Sequence, residues 1–344
     1  MVINPIKFIF LFFCLFSFIL SQTSYQLKES VNIKGEGSVT YEIKTEQAKG
    51  TYIHIKVDSQ SKQNQIVFAC SDQNCDKRML IGIQQNGLIN LFIKQKQATK
   101  VFYLLVQCAE EDTNCKYNLD LISETKCELL IGEQTSYYSY DNSQEMNFIF
   151  KPNNDINPEK VIFWVKGQTI QTSSLKIGNE EIAGNKFGYG NVFSSKYDES
   201  KTYEVKVVSN KQDYITVGSL YIKDEISKTI AANDLEIMGI LNKGEEKICF
   251  NLKTIEDEKA PSFLAQIEGI IFNKRAKVYF TNLQNENDKI NPKEIENGQI
   301  LEHIVLSSNN QRKTFCIEAI DKYKDDNVIF SIQLISNVLK NYSP

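Results

Sequence analysis

The strongest constraint on this chain is a period of two. From Leu27 to Ile122, apolar and polar residues alternate over short runs: VTYEIKT, TYIHIKVD, NQIVFAC, LINLFIK, VFYLLVQ and YNLDLIS. Successive side chains of a strand point to opposite faces, so this alternation suits a half-buried strand and not a helix. The runs are rich in β-branched and aromatic residues, and Gly, Asn and Asp break them, as expected of antiparallel strands. Ile66–Cys70 and Val101–Val106 are apolar at every position. That predicts strands covered on both faces, and therefore packed sheets in place of one exposed sheet.

Val101–Ile122, VFYLLVQCAEEDTNCKYNLDLI, reads as a β-hairpin: two such runs flank an acidic turn between Cys108 and Cys115 that oxidation can close. Comparable runs recur downstream. One set starts near Cys127 (ELLIGEQTSYYSY, EMNFIFKP, KVIFWVKG, TYEVKVVS, ITVGSLYIK), and another near Asp234 (EIMGILNKGEEKICFNLKT, FLAQIEGIIF, KVYFTNL, KTFCIEAI, NVIFSIQLIS). Gly35, Gly132 and Gly244 precede Phe102, Tyr203 and Phe315 by 67, 71 and 71 residues. Such near-constant offsets predict three related β-units of about 100 residues each. Asp224–Leu235 is the best helix candidate, and it suits a linker between units equally well.

A Gly-polar turn leading into YYSY or CFNL, with closing pairs FYLLVQ…YNLDLI and TFCIEA…FSIQLI, resembles the pre-peptidase C-terminal type of β-sandwich. The resemblance implies small jelly-roll modules of the kind appended to secreted enzymes, where they assist secretion, localisation or substrate binding. It brings no catalytic motif with it. The expected fold is all-β, with tandem jelly-roll-like β-sandwich domains after a cleaved signal peptide.

Lys7 is followed by thirteen nearly all apolar residues, Phe8–Leu20. At 1.5 Å per residue a helix of that length falls short of a hydrocarbon core of about 30 Å, so it reads as a signal peptide cleaved after Ser21. The expected organisation is residues 1–21 signal, 22–125 first unit, 126–224 second and 225–344 third. No other stretch reaches eighteen apolar residues, so no membrane span is expected in the mature chain. Thirty-nine Lys and Arg against 43 Asp and Glu give a net charge of -4 with the signs interleaved, which leaves no basic stripe for nucleic acid.

Export places the cysteines in an oxidising compartment. Cys14 leaves with the signal, and seven remain. The local spacing favours Cys70 with Cys75 and Cys108 with Cys115, and the third unit pairs Cys249 with Cys316. Cys127 is then left unpaired, or free for a disulfide-linked partner. Zinc is disfavoured because the spacings are long and no histidine lies near either local pair.

Catalytic signatures are sparse. His54 (TYIHIKV) and His303 (LEHIVLS) each alternate within a strand and read as structural, and the chain carries no HExxH, GxSxG or P-loop. A hydrolase built on a carboxylate pair remains the rival class, since such pairs meet in space and not in sequence. Trp164, the single tryptophan, lies in the apolar run KVIFWVKG and reads as core. No cofactor is expected. Calcium is the most plausible ion, with Glu110, Glu111 and Asp112, Asn153–Asn157 and Asn285–Asp288 as oxygen-rich turns, none of them an EF-hand. One loop stands apart. Gly184–Asn191, GNKFGYGN, sets Phe187 and Tyr189 among Gly184, Gly188 and Gly190, either as a contact surface or as a flexible hairpin tip. These features together predict a secreted or lumenal, non-enzymatic binding or structural protein whose partner is a protein or a glycan, with a lumenal cargo or trafficking factor of the secretory pathway as a third class beside the hydrolase.

Overall fold

The computed structural model describes residues 23–59, 65–83, 88–94, 100–108, 115–139, 144–152, 157–210, 213–223, 226–231, 237–253, 262–282, 285–295, 304–307, 313–320 and 326–337. Every helix or strand among them is a strand. The signal-like segment, His303, the 109–114 acidic turn and residues 153–156 of the Asn153–Asn157 turn lie outside the described residues.

The first unit holds β1 (Thr23–Gln26), β2 (Ser30–Glu36), β3 (Val39–Lys44), β4 (Tyr52–Ser59), β5 (Ile66–Cys70), β6 (Arg78–Ile83), β7 (Leu88–Lys94), β8 (Val101–Gln107) and β9 (Lys116–Glu124). They form two layers, ordered β1-β3-β8-β5-β6 and β2-β9-β4-β7, with β1 parallel to β3. The second unit holds β10 (Cys127–Leu130), β11 (Gln134–Ser139), β12 (Gln144–Lys151), β13 (Lys160–Lys166), β14 (Ile170–Ile177), β15 (Glu180–Ala183), β16 (Asn185–Phe187), β17 (Gly190–Lys196), β18 (Tyr203–Ser209) and β19 (Asp213–Lys223). Its layers are β10-β12-β18-β14-β15 and β11-β19-β13-β17, with β16 added beyond β17. Apart from β16, this is the strand order of the first unit.

The third unit repeats the same order. It holds β20 (Ile226–Ala231), β21 (Ile237–Leu241), β22 (Lys247–Lys253), β23 (Ser262–Phe272), β24 (Ala276–Asn282), β25 (Asn285–Ile295), β26 (Ile304–Ser307), β27 (Lys313–Ala319) and β28 (Val328–Asn337). Its layers are β20-β22-β27-β24-β25 and β21-β28-β23-β26, with β20 parallel to β22. In each unit the second to ninth strands thus divide 2-9-4-7 and 3-8-5-6, the two-sheet arrangement of a jelly roll.

The units are not separate beads. β7 pairs in parallel with β11, Leu91 opposite Ser136, and β19 pairs with β20, Ile222 opposite Ser227. One fourteen-stranded sheet therefore runs through all three. The first two units contribute their four-stranded layer to it, whereas the third contributes its five-stranded layer. This switch explains why β13 is buried along its whole middle. Val161, Phe163 and Val165 face the second unit's own core, while Ile162 and Trp164 join the third unit's core beside Met238 and Ile240 of β21.

Several sequence expectations need correction. Val101–Ile122 is no hairpin: β8 pairs with β3 and β5, and β9 with β2 and β4, in opposite layers. Both strands alternate because each sends every second residue, Phe102 and Leu104 or Leu119 and Leu121, into the one core between the layers. For the same reason β8 is buried on one face only. Asp224–Leu235 is not helical where it is described, since Ile226–Ala231 is β20. Phe102, Tyr203 and Phe315 all fall in equivalent strands, the eighth of each unit once β16 is left out, and are buried. The glycines paired with them are not equivalent: Gly35 lies within β2, Gly132 between first and second strands, and Gly244 between second and third. Asn285–Asp288, expected to form a turn, opens strand β25.

Candidate functional site

Tyr203 illustrates how the second unit fixes its loops. Its hydroxyl accepts from the Asp198 backbone N–H at 2.7 Å and lies within hydrogen-bonding reach of the Lys196 and Asp198 carbonyls, pinning the turn between β17 and β18. Two features lie at opposite ends of β17, about 20 Å apart for seven residues of strand.

At the start of β17 is the hairpin it makes with β16. Phe187 pairs with Gly190, leaving Gly188 and Tyr189 as a two-residue turn. Gly188 has φ 54°, and a positive φ at the first central position suits the II′ hairpin turn that favours glycine there. Gly190 serves close packing, because a Cβ on it would fall 2.7 Å from the Val165 carbonyl oxygen and 2.8 Å from Met238 Sδ in the third unit. Gly184 lies against the Phe193 ring. Phe187, expected to be exposed, is half-buried against the core shared by the second and third units. Tyr189 is the residue on display, 69% exposed. The segment is a short buttressed turn: the Gly167 N–H donates to the Tyr189 carbonyl at 2.9 Å, and Asn327 Nδ2 in the third unit donates to Asn185 Oδ1 at 3.3 Å.

At the far end of β17 is a cleft of about 670 Å³, within the usual range for small-molecule sites. Pro158, Ile177 and Ile182 give it apolar wall, Tyr197 an aromatic one, and Glu180, Asp198, Glu199, Lys196 and Lys201 a charged one. Tyr197 also packs against the second unit's core. Burial, and then the Glu199 and Asp198 carboxylates, raise its hydroxyl above the ordinary tyrosine value, which keeps it a neutral donor. Asp198 is occupied internally: Oδ1 accepts from the Ser200 N–H at 3.0 Å and hydroxyl at 2.6 Å, and Oδ2 meets Lys201 Nζ at 3.4 Å. Sequence reasoning missed this cleft because its residues come from three separated loops and hairpins with no common motif.

Among the described residues, His54, Trp164 and the cysteines singled out from sequence are buried and structural. His54 is 1% exposed and stacks on Phe92 at 4.0 Å, with its ring nitrogens 3.2 Å from Glu124 Oε1 and from Asn90 Oδ1. Trp164 lies in the core, 1% exposed. Disulfides join Cys70 to Cys75, Cys108 to Cys115 and Cys249 to Cys316. The first pins the β5–β6 turn, the second ties the two layers of the first unit together, and the third crosses between β22 and β27. Cys127 is free and fully buried. Burial, reinforced by the nearby Glu124 charge, holds its thiol well above the usual value. A disulfide-linked partner through Cys127 is therefore incompatible with the folded chain, since its sulfur can neither ionise readily nor meet a second molecule. Among the described residues no group of three or more His, Cys, Asp and Glu side chains is placed to hold a metal ion, and no helix is long and apolar enough to cross a membrane.

No family model matches the chain, and no curated protein matches it either. Solved structures give only loose likenesses. The triple jelly roll of an archaeal virus turret assembly aligns over 90% of this chain and 89% of its own, at 11% identity and a TM-score of 0.22. The M60 catalytic domain with the CBM51-1 and CBM51-2 domains from Clostridium perfringens ZmpB aligns over 89% of this chain and 34% of its own, at 9% identity and 0.20. The CUB1-EGF-CUB2 domain of human MASP-1/3 aligns over 56% of this chain and all of its own, at 8% identity and 0.17. At these scores the likenesses carry no argument. The jelly-roll description stands on the strand order itself, and the finer resemblance to the pre-peptidase C-terminal type remains one of strand pattern.

Proposed function

We propose that this chain is a secreted or secretory-lumen protein without enzymatic activity, a surface, matrix or granule component that recognises a protein or glycan. Three intrachain disulfides agree with an oxidising compartment, where such bridges persist. The observation that carries the binding role is Tyr189. The turn that presents this large aromatic side chain is fixed before any partner arrives, so less backbone freedom is lost on contact. Tyrosine brings both apolar area and a polar tip to such a contact. The test is affinity purification of the tagged protein from its native cell after crosslinking, with localisation of the same tag. A defined partner recovered with the native chain and lost from Tyr189→Ala supports the reading. Cytosolic localisation, or a set of partners unchanged by that substitution, overturns it.

A further inference from the structure

We infer that the cleft at the far end of β17 is a binding site for an uncharged pyranose. The inference rests on the reading of the chain as a binding protein and names one ligand class for a site separate from Tyr189.

Its wall chemistry selects against the alternatives. With Asp198 engaged by Ser200 and Lys201, the remaining charges are Glu180 and Glu199 against Lys196, so neither an anion nor a cation finds a field of one sign. An apolar ligand meets too many groups that it would desolvate without pairing. A pyranose has one face of C–H bonds and a rim of hydroxyls that both donate and accept. Tyr197 and Ile182 are only partly buried, and the parts of them that line the cleft offer apolar surface to that face, while carboxylates accept from the hydroxyls and Lys196 donates to them. The site is also built on fixed elements. Tyr197 follows β17 directly, its N–H donates to the Glu159 carbonyl at 3.2 Å, and the turn after it is held by the Tyr203 hydroxyl. The cleft volume of about 670 Å³ holds one or two sugar rings with water.

The test is saturation-transfer NMR on the full mature chain with methyl glucoside, methyl galactoside, methyl mannoside and N-acetylglucosamine as probes. Lysine methyl ester and methyl phosphate, each read through its own C–H protons, serve as charged controls. Saturation of ring C–H protons from at least one sugar is expected, weakened about tenfold or more in affinity by Tyr197→Ala. Because Tyr197 also packs against the core, Glu180→Gln, on the exposed edge strand β15, supplies a second variant and should weaken the same sugar while leaving the melting temperature unchanged. The sugar readout is taken on the purified chain alone, which separates failure here from failure of the partner test above. Absence of saturation for all four sugars, equal binding by wild type and both cleft variants, or preferential binding of either charged control overturns the inference.

Discussion

Lys160 of the second unit sends its ammonium group to Glu245 of the third, with Nζ 2.8 Å from Oε1 and 2.5 Å from Oε2. Glu245 also accepts from the Asn242 backbone N–H at 2.7 Å, so one carboxylate fixes both the turn after β21 and the seam between units. Burial lowers the Lys160 affinity for its proton, and Glu245 opposes that loss. Glu245→Gln should leave the largely buried ammonium without its counter-charge and cost about 1–3 kcal/mol, below the range for a fully buried pair because Glu245 is partly exposed. Urea unfolding checks this, and adding Lys160→Met should recover most of the loss.

Tyr41 and Tyr117 share a hydrogen bond at 2.8 Å inside the first unit. Desolvation is the main cause raising both phenols above their ordinary value. The unfolded chain therefore ionises first as pH climbs past about 10. The stability they contribute is complete below that value and is lost as pH rises towards the folded-state pKa values. Melting curves between pH 8 and 11 (roughly, around the free tyrosine pKa) should show that decline, smaller in Tyr41→Phe with Tyr117→Phe. The single change Tyr117→Phe strands the Tyr41 hydroxyl and should cost about 1–3 kcal/mol at neutral pH.

Gly218 lies under Trp164: a Cβ at that position would fall 2.2 Å from the indole Cζ2. Gly218→Ala should overpack the junction of the second and third units and destabilise by about 1–3 kcal/mol. Trp164 is the only tryptophan, so its emission reports this site without interference, and a red shift in the folded variant is expected.

The disulfides should differ in weight. Cys249 and Cys316 are 67 residues apart, Cys70 and Cys75 only 5. On loop-closure entropy alone, replacing the long pair with alanines should cost about 4 kcal/mol and the short pair about 2 kcal/mol. Chemical unfolding of the two double variants gives the comparison, and a larger loss for the short pair would show that native-state contacts outweigh chain entropy.

Strand content was legible because period-two patterning follows directly from side chains alternating across a pleat, and the buried place of Trp164 followed from its apolar neighbours. Pairing partners were not legible. The alternation of β8 and β9 is the same whether they pair with each other or face each other across a core, so the local pattern could not separate a hairpin from a jelly-roll corner. Likewise, KVIFWVK reads as buried on both faces, yet nothing local says that the second face belongs to another unit. The site was least legible. Phe187 and Tyr189 are spaced alike among glycines, and only the arrival of the third unit decides that one is covered and the other presented.

At β7–β11 and β19–β20 neighbouring units are joined by backbone ladder pairs, so their relative orientation is set by strand pairing as well as by the connecting chain. Tyr189 and Tyr197 stand at the two ends of one strand inside that frame, like prongs of fixed pitch. A ligand that reaches both must span the length that seven residues of strand set.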